Sequence, residues 1–130
     1  MRCVAYSFVI VRGGLAADSP HNFRMAVGGA SQLFNWEVAP ASWFEIGHYE
    51  MRIAGALLTP GQEHEIVVEQ VEDRVRIVVD DRTIWEHRGR MRGPLSLHPC
   101  YGSRLWVREI VIRGRPVPWI DVDGPDVMIM

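Results

Sequence analysis

The sequence lacks lysine and has little cysteine. All 14 basic residues are arginine, a bias that a GC-rich genome explains as readily as chemistry does. The two cysteines, Cys3 and Cys100, are far apart and belong to no CxxC or mixed Cys/His motif. A zinc site of the usual spacing is therefore not predicted. Two separate buried thiols are expected, with a Cys3–Cys100 disulfide as the alternative.

The sequence also lacks an excess of either charge and any long apolar run. Its 14 basic and 16 acidic residues give a net charge of −2, whereas nucleic acids and acidic membranes bind basic proteins, so neither is an expected partner. No apolar stretch approaches the roughly 18 residues that span a bilayer. The apolar N-terminus has the outline of a short signal peptide, but its valines and aromatic residues favour a buried strand. A soluble, cytoplasmic protein is favoured, although the compartment is not determined.

A chain of 130 residues with 48% apolar and 23% charged residues is typical of one globular domain, which we assign to residues 1–130. Residues 115–130 form an apolar C-terminal extension that contains Trp119 and ends in Val127-Met128-Ile129-Met130. An apolar chain end is expected to pack on its own subunit or on a neighbouring one. Homo-oligomer formation through this segment is therefore a possibility.

Glycine and proline interrupt the chain so regularly that helices of ordinary length have little room. The clearest pattern is a meander over residues 65–71, 74–79 and 83–87, with turns at Glu72-Asp73 and at residues 80–82. In its middle strand, Val75, Ile77 and Val79 alternate with polar positions, which predicts one buried and one solvated face. Several such strands are most simply packed as an all-β, antiparallel two-sheet sandwich, with a closed β-barrel as the alternative.

From residue 49 onward, four segments resemble concanavalin A-like jelly-roll domains, in particular 3-keto-disaccharide hydrolase or glycoside hydrolase family 16-like domains. The segments are 49–53 (YEMRI), 58–68 (LTPGQEHEIVV), 78–81 (VVDD) and 105–112 (LWVREIVI), and the resemblance covers about residues 23–113. It implies a two-sheet sandwich whose concave face often binds sugar, with binding commoner than catalysis in small members.

The sequence shows no catalytic signature. Retaining glycosidases need two carboxyl groups about 5 Å apart, and the Glu-x-Asp-x-x-Glu string that supplies them in family 16 is absent. The carboxylates at 63 and 65, and those at 69, 72 and 73, are interpreted as solvated groups at strand edges. No catalytic residue is predicted.

A second sugar-binding pattern also fails on spacing. His21, Asn22 and Arg24, followed by Asn35-Trp36-Glu37, are similar in type to the residues with which galectins bind galactose. Adjacent residues of a strand face opposite sides of a sheet, so His21 and Asn22 cannot share one binding surface. The spacing therefore predicts no galectin-type galactose site.

No cofactor or metal is predicted. The five histidines form no HExxH and no close pair, although His87 and His98 could meet across strands. A calcium site could be formed by Asp80, Asp81, Asp121 or Asp123. These residues do not have the spacing of a calcium-binding loop, however, and are more simply explained as turn residues.

The aromatic residues are the most informative feature for function. The segment 34–45 combines tryptophans with amide and carboxylate groups, a mixture that suits a polar ligand such as an oligosaccharide or polysaccharide. The predicted ligand-binding residues are Trp36, Trp43, Glu37, Glu45, Asn35 and Arg24.

Noncatalytic, lectin-like carbohydrate binding is therefore the predicted function. Two alternatives stay open: a small glycoside hydrolase or sugar-modifying enzyme that uses Glu37, Glu45 or Glu50 beside His48, and a structural subunit that associates through its apolar tail.

Overall fold

The computed structural model describes residues 2–19, 23–27, 33–37, 43–46, 49–52, 58–91, 93–99, 102–117 and 127–129. In these ranges the chain forms eleven β-strands and no helix, as the sequence predicts. The strands are β1 (Arg2–Leu15), β2 (Phe23–Val27), β3 (Leu33–Glu37), β4 (Trp43–Ile46), β5 (Tyr49–Arg52), β6 (His64–Val71), β7 (Arg74–Val79), β8 (Arg82–Arg88), β9 (Gly93–Pro99), β10 (Leu105–Val117) and β11 (Val127–Ile129).

The predicted meander is confirmed as β6, β7 and β8, which pair antiparallel in sequence order. Val75, Ile77 and Val79 of β7 are buried and the residues between them are not. The turns need left-handed backbone at Glu72 (φ 58°) and Asp80 (φ 49°). Aspartate and asparagine adopt this region more readily than most residues, which favours the turn at Asp80.

The strands are arranged in two layers that the long strand β1 connects. One layer follows the order β5-β4-β3-β2-β9, and the other contains β6, β7, β8, β10 and β11 around β1. The strand β1 pairs with β6 and β10 over most of its length and reaches β9 at Arg2 and Cys3. Among the described residues the strand order ends at β5 and β8 without closing, so the barrel alternative is wrong and the sandwich is confirmed.

One hydrophobic core lies between the two layers. Met25, Leu95 and Leu97 enter it from β2 and β9, where they are at most 1% exposed. The other layer contributes a larger set of buried residues, among them Val9, Val11, Ile66, Val68, Val75, Ile77, Leu105 and Val107. Each buried side chain of this size stabilises the fold by roughly 1.5–3 kcal/mol relative to an exposed one, which requires one face of every core strand to be apolar.

The C-terminal segment differs from the predicted extension at its boundary. Strand β10 continues to Val117, so the segment from residue 115 begins inside a strand. Strand β11 then pairs in parallel with the start of β10, with Val127 opposite Leu105 and Ile129 opposite Val107. At least this part of the apolar tail therefore packs on its own chain.

Gln70 connects the β6–β7 turn to the chain that follows β8. The two N–H bonds of its Nε2 face the carbonyl oxygens of Glu72, Arg74 and Gly89 at 2.9, 3.1 and 2.8 Å, so one of them is shared between two carbonyls. Its Oε1 accepts from the backbone N–H of Met91 at 3.0 Å. One half-buried amide thus satisfies four backbone groups. Only a side chain that both donates and accepts can do this.

Replacing Gln70 with glutamate keeps the shape but directs a carboxylate oxygen at three carbonyl oxygens. We expect the Gln70→Glu variant to lose about 1–3 kcal/mol of unfolding free energy at pH 7, measured by urea denaturation. The deficit should shrink at pH 4, because repulsion raises the pKa of the introduced carboxyl in the folded state and its protonation removes the charge. The same change at exposed Gln62 is the control, and equal losses at both positions would refute the role of Gln70.

Candidate functional site

Three of the predicted ligand-binding residues occupy one row across neighbouring strands. In the antiparallel register, Arg24 of β2 is opposite Asn35 of β3, and Asn35 is opposite Glu45 of β4. Directly opposed positions of an antiparallel pair belong to the same face of the sheet. Residues that are 21 positions apart in the sequence are therefore brought into one line by strand pairing.

A second row lies two residues along the same strands. Glu37 of β3 is opposite Trp43 of β4, and both positions have the same parity as Asn35 and Glu45. Trp36 is instead opposite Phe44, one residue out of phase. Because strand positions alternate between faces, the register separates Trp36 from Trp43, which the sequence analysis had grouped together.

The core identifies which side of the layer these rows occupy. Met25 follows Arg24 on β2 and is fully buried, and it is opposite Leu97 of β9, which is also buried. The row of Arg24 therefore belongs to the face turned away from the core. We call the positions Arg24, Asn35, Glu37, Trp43 and Glu45 the polar face.

Strands β9 and β5 extend the polar face on its two sides. His98 of β9 is opposite Arg24, and both His98 and Ser96 have partly exposed side chains. On the other side, Glu50 of β5 is opposite Glu45. His98 and Ser96 were not among the predicted site residues. Strand β9 follows β2 by more than 60 residues, so the pairing of these strands has no local signal in the sequence.

The polar face extends across three strands and along two rows of residues. Neighbouring strands are about 4.8 Å apart and alternate residues along a strand about 6.8 Å apart. The backbone positions of Arg24 and Glu45 are thus separated by two strand spacings, about 10 Å. The two rows are separated by about 6.8 Å along the strands.

Three of the carboxylates that were predicted to be solvated groups form ion pairs on the other layer. Glu65 accepts from Nε of Arg12 at 2.9 Å, and Glu69 from Arg76 at 2.7 Å. Glu63 accepts hydrogen bonds from Arg108, which lower the pKa of its carboxyl. These groups are charge-paired and partly exposed, an arrangement that stabilises a strand surface.

The buried His64 contacts the partly exposed Asp80 at the start of β6. His64 is 7% exposed, and its Nδ1 lies 2.5 Å from a carboxylate oxygen of Asp80. Its Nε2 accepts from the backbone N–H of Thr59 at 2.9 Å, while the other oxygen of Asp80 accepts from the N–H of Glu65 at 2.8 Å. Both ring nitrogens are occupied by the protein itself.

The other titratable groups provide no metal site within the described ranges, where no three histidine, cysteine or acidic side chains converge. His87 is partly buried, which lowers its pKa, and it accepts from the indole N–H of Trp85 at 3.1 Å. His21, Asn22, His48, Cys100, Asp121 and Asp123 lie outside the described residues. No helix in the described part of the chain could cross a membrane.

Comparison with known proteins finds similarity in structure but not in sequence. No family model matches the chain, and no curated protein matches it. CG-16, a homodimeric agglutinin from chicken liver, is similar with a TM-score of 0.58 at 18% identity, over 85% of this chain and 93% of that one. Chicken galectin 2 is similar with a TM-score of 0.61 at 14% identity, over 87% and 96%.

A double mutant of congerin II is similar to the same degree, with a TM-score of 0.61 at 13% identity over 86% of this chain and 96% of that one. The similarity to a jelly-roll sandwich is thus confirmed, whereas the finer resemblance to 3-keto-disaccharide hydrolase or family 16 domains has no match among these structures. The chain has the β-sandwich fold of the galectins.

Proposed function

We propose that this protein binds an oligosaccharide or polysaccharide, without catalysis, on the polar face. The observation that carries the proposal is the register that aligns Arg24, Asn35 and Glu45 on one row and Glu37 with Trp43 on the next. The galectin-like fold supports it, because a galectin and an agglutinin share this sandwich.

In this proposal, each residue type supplies a different part of sugar recognition. The indole of Trp43 offers an apolar surface for the C–H face of a pyranose ring. Arg24 donates hydrogen bonds, Glu37 and Glu45 accept them, and Asn35 does both, which matches hydroxyl groups that donate and accept. Specificity would follow from the spacing of these groups across three strands.

The register predicts different results for the two tryptophans. Trp43→Ala should abolish selective binding on a glycan array and leave the melting temperature within a few degrees of the parent protein, since its position faces away from the core. Trp36→Ala, the matched control, belongs to the alternate positions and should lower the melting temperature instead. Binding that survives in Trp43→Ala and disappears in a folded Trp36→Ala variant would contradict this assignment.

A glycosidase is the second candidate, and one observation favours it. Glu45 and Glu50 are directly opposite on β4 and β5, and such positions place Cβ atoms about 4.5–5.5 Å apart. Retaining glycosidases hold their two carboxyl groups at about 5–5.5 Å. In that mechanism one carboxylate attacks the anomeric carbon while the other carboxyl protonates the leaving oxygen, and water then releases the sugar.

Hydrolysis separates the two candidates. If the enzyme candidate is correct, the protein will cleave members of an oligosaccharide panel analysed by chromatography, and Glu45→Gln or Glu50→Gln will reduce turnover by several orders of magnitude while the fold is retained. A binding protein will retain every oligosaccharide intact over days. Glu86→Gln, at an exposed position of β8, is the control for a general effect of charge.

Self-association is the third part of the proposal. CG-16 is described as homodimeric, and the C-terminal segment of this chain is apolar. We expect a homo-oligomer that forms through residues 115–130, in addition to the pairing of β11 with β10. Sedimentation should detect a dimer of the parent protein at tens of micromolar. Truncation after residue 117 should convert this dimer to a monomer. A parent protein that is itself monomeric would contradict association.

A further inference from the structure

A partly exposed tryptophan lies on the other layer, far from the polar face in the strand order. Trp106 stands between Leu105 and Val107, which are 2% and 0% exposed. Because both neighbours enter the core, the strand places Trp106 on the outer face of its layer. Its partner in the register is Gly14 of β1.

The absence of a side chain at Gly14 determines where the indole ring lies. A Cβ atom built on Gly14 would be 2.7 and 2.9 Å from Cη2 and Cζ2 of Trp106, and 2.2 Å from the carbonyl oxygen of Gln62. No other residue fits there, since real Cβ atoms do not approach so closely. The ring therefore packs against bare backbone and is held in one orientation beside the turn at Gln62.

A β-bulge interrupts β10 at Arg108, two residues along the strand from Trp106. Arg12 is opposite Glu109 and Gly13 is opposite Val107, so Arg108 is an extra residue without a counterpart on β1. Bulges often redirect a side chain next to a binding site.

Arg108 pairs in a bidentate manner with Glu63, at 2.6 and 3.0 Å. Their side chains keep 51% and 42% of their exposure. We call Trp106, Gly14, Gln62, Glu63 and Arg108 the Trp106 surface.

The chemistry of the Trp106 surface matches an uncharged sugar. A pyranose presents an apolar C–H face, which an indole covers, and a rim of hydroxyls, which exposed donors and acceptors can bind. The hydrogen bond from Arg108 lowers the pKa of Glu63, so both groups remain charged near neutral pH and balance each other. The pair therefore presents no net charge that would attract an acidic or a basic sugar to this surface.

We propose that the Trp106 surface is a second carbohydrate-binding site, selective for neutral saccharides. It is independent of the polar face, because it uses different strands in the other layer of the sandwich. With a site on each outer surface, one copy of the protein can bridge two glycans.

The indole N–H signals of a ¹⁵N-labelled protein test this directly. The five tryptophans give separate signals, which Trp→Phe variants assign, and titration with cellobiose, maltose and lactose should shift the signal of Trp106. Glucuronic acid and glucosamine should shift it less at equal concentration. Arg108→Gln should weaken the Trp106 response about tenfold, whereas Arg88→Gln, at an exposed arginine paired with Asp73, should not change it.

The outcomes separate this site from the polar face. A saccharide that shifts Trp106 in both the parent and the Trp43→Ala variant supports the second site whether or not the polar face binds. Shifts confined to Trp43 overturn the second site and leave the proposed function intact. A Trp106 signal that no saccharide moves, or one that Arg108→Gln leaves fully responsive, overturns the inference. Because both substituted arginines are exposed, these variants are expected to fold, which circular dichroism verifies.

Discussion

Each layer of the sandwich buries one face in a common core. The positions of the other features of the structure follow from this burial. Met25 and Leu97 from one layer meet Val9, Val68 and Ile77 from the other, all at most 1% exposed. A strand has only two faces, so burying one determines which residues remain for solvent and ligand. A shift by one residue would exchange the two sets, and the apolar side chains would then be lost from the core.

The outer faces of both layers contain ionic residues. On the layer of β1, β6 and β10, charges are neutralised in close pairs, such as Arg12 with Glu65 and Glu109 at 2.9 and 2.6 Å. On the polar face, the register alternates Arg24, Asn35 and Glu45 along one row. Paired charges at partly exposed positions add little stability, so the ion pairs of the β1 layer contribute less to folding than the core does.

Local residues and backbone geometry reinforce each other at the turns. Asp80 adopts a left-handed conformation, contacts His64 and accepts from the N–H of Glu65. The turn therefore also ties the start of β6 to the end of β7. Gln70 has a similar role at the opposite end of the same hairpin. Such side chains satisfy backbone groups that would otherwise be unpaired where the ladder ends.

Elements with a local signal are predictable from the sequence alone. Periodicity of two and turn residues predicted β6, β7 and β8 nearly to the residue, and the same pattern predicted Val75, Ile77 and Val79 as core. The pairing of distant strands depends on the packed fold: β9 joins β2, and Trp36 and Trp43 differ in phase across one pairing. The bulge at Arg108, two residues from Trp106, is another such feature. The reason is that hydrogen-bonded ladders between distant segments depend on how two sheets fill one core, whereas alternation and turns depend only on residues a few positions apart.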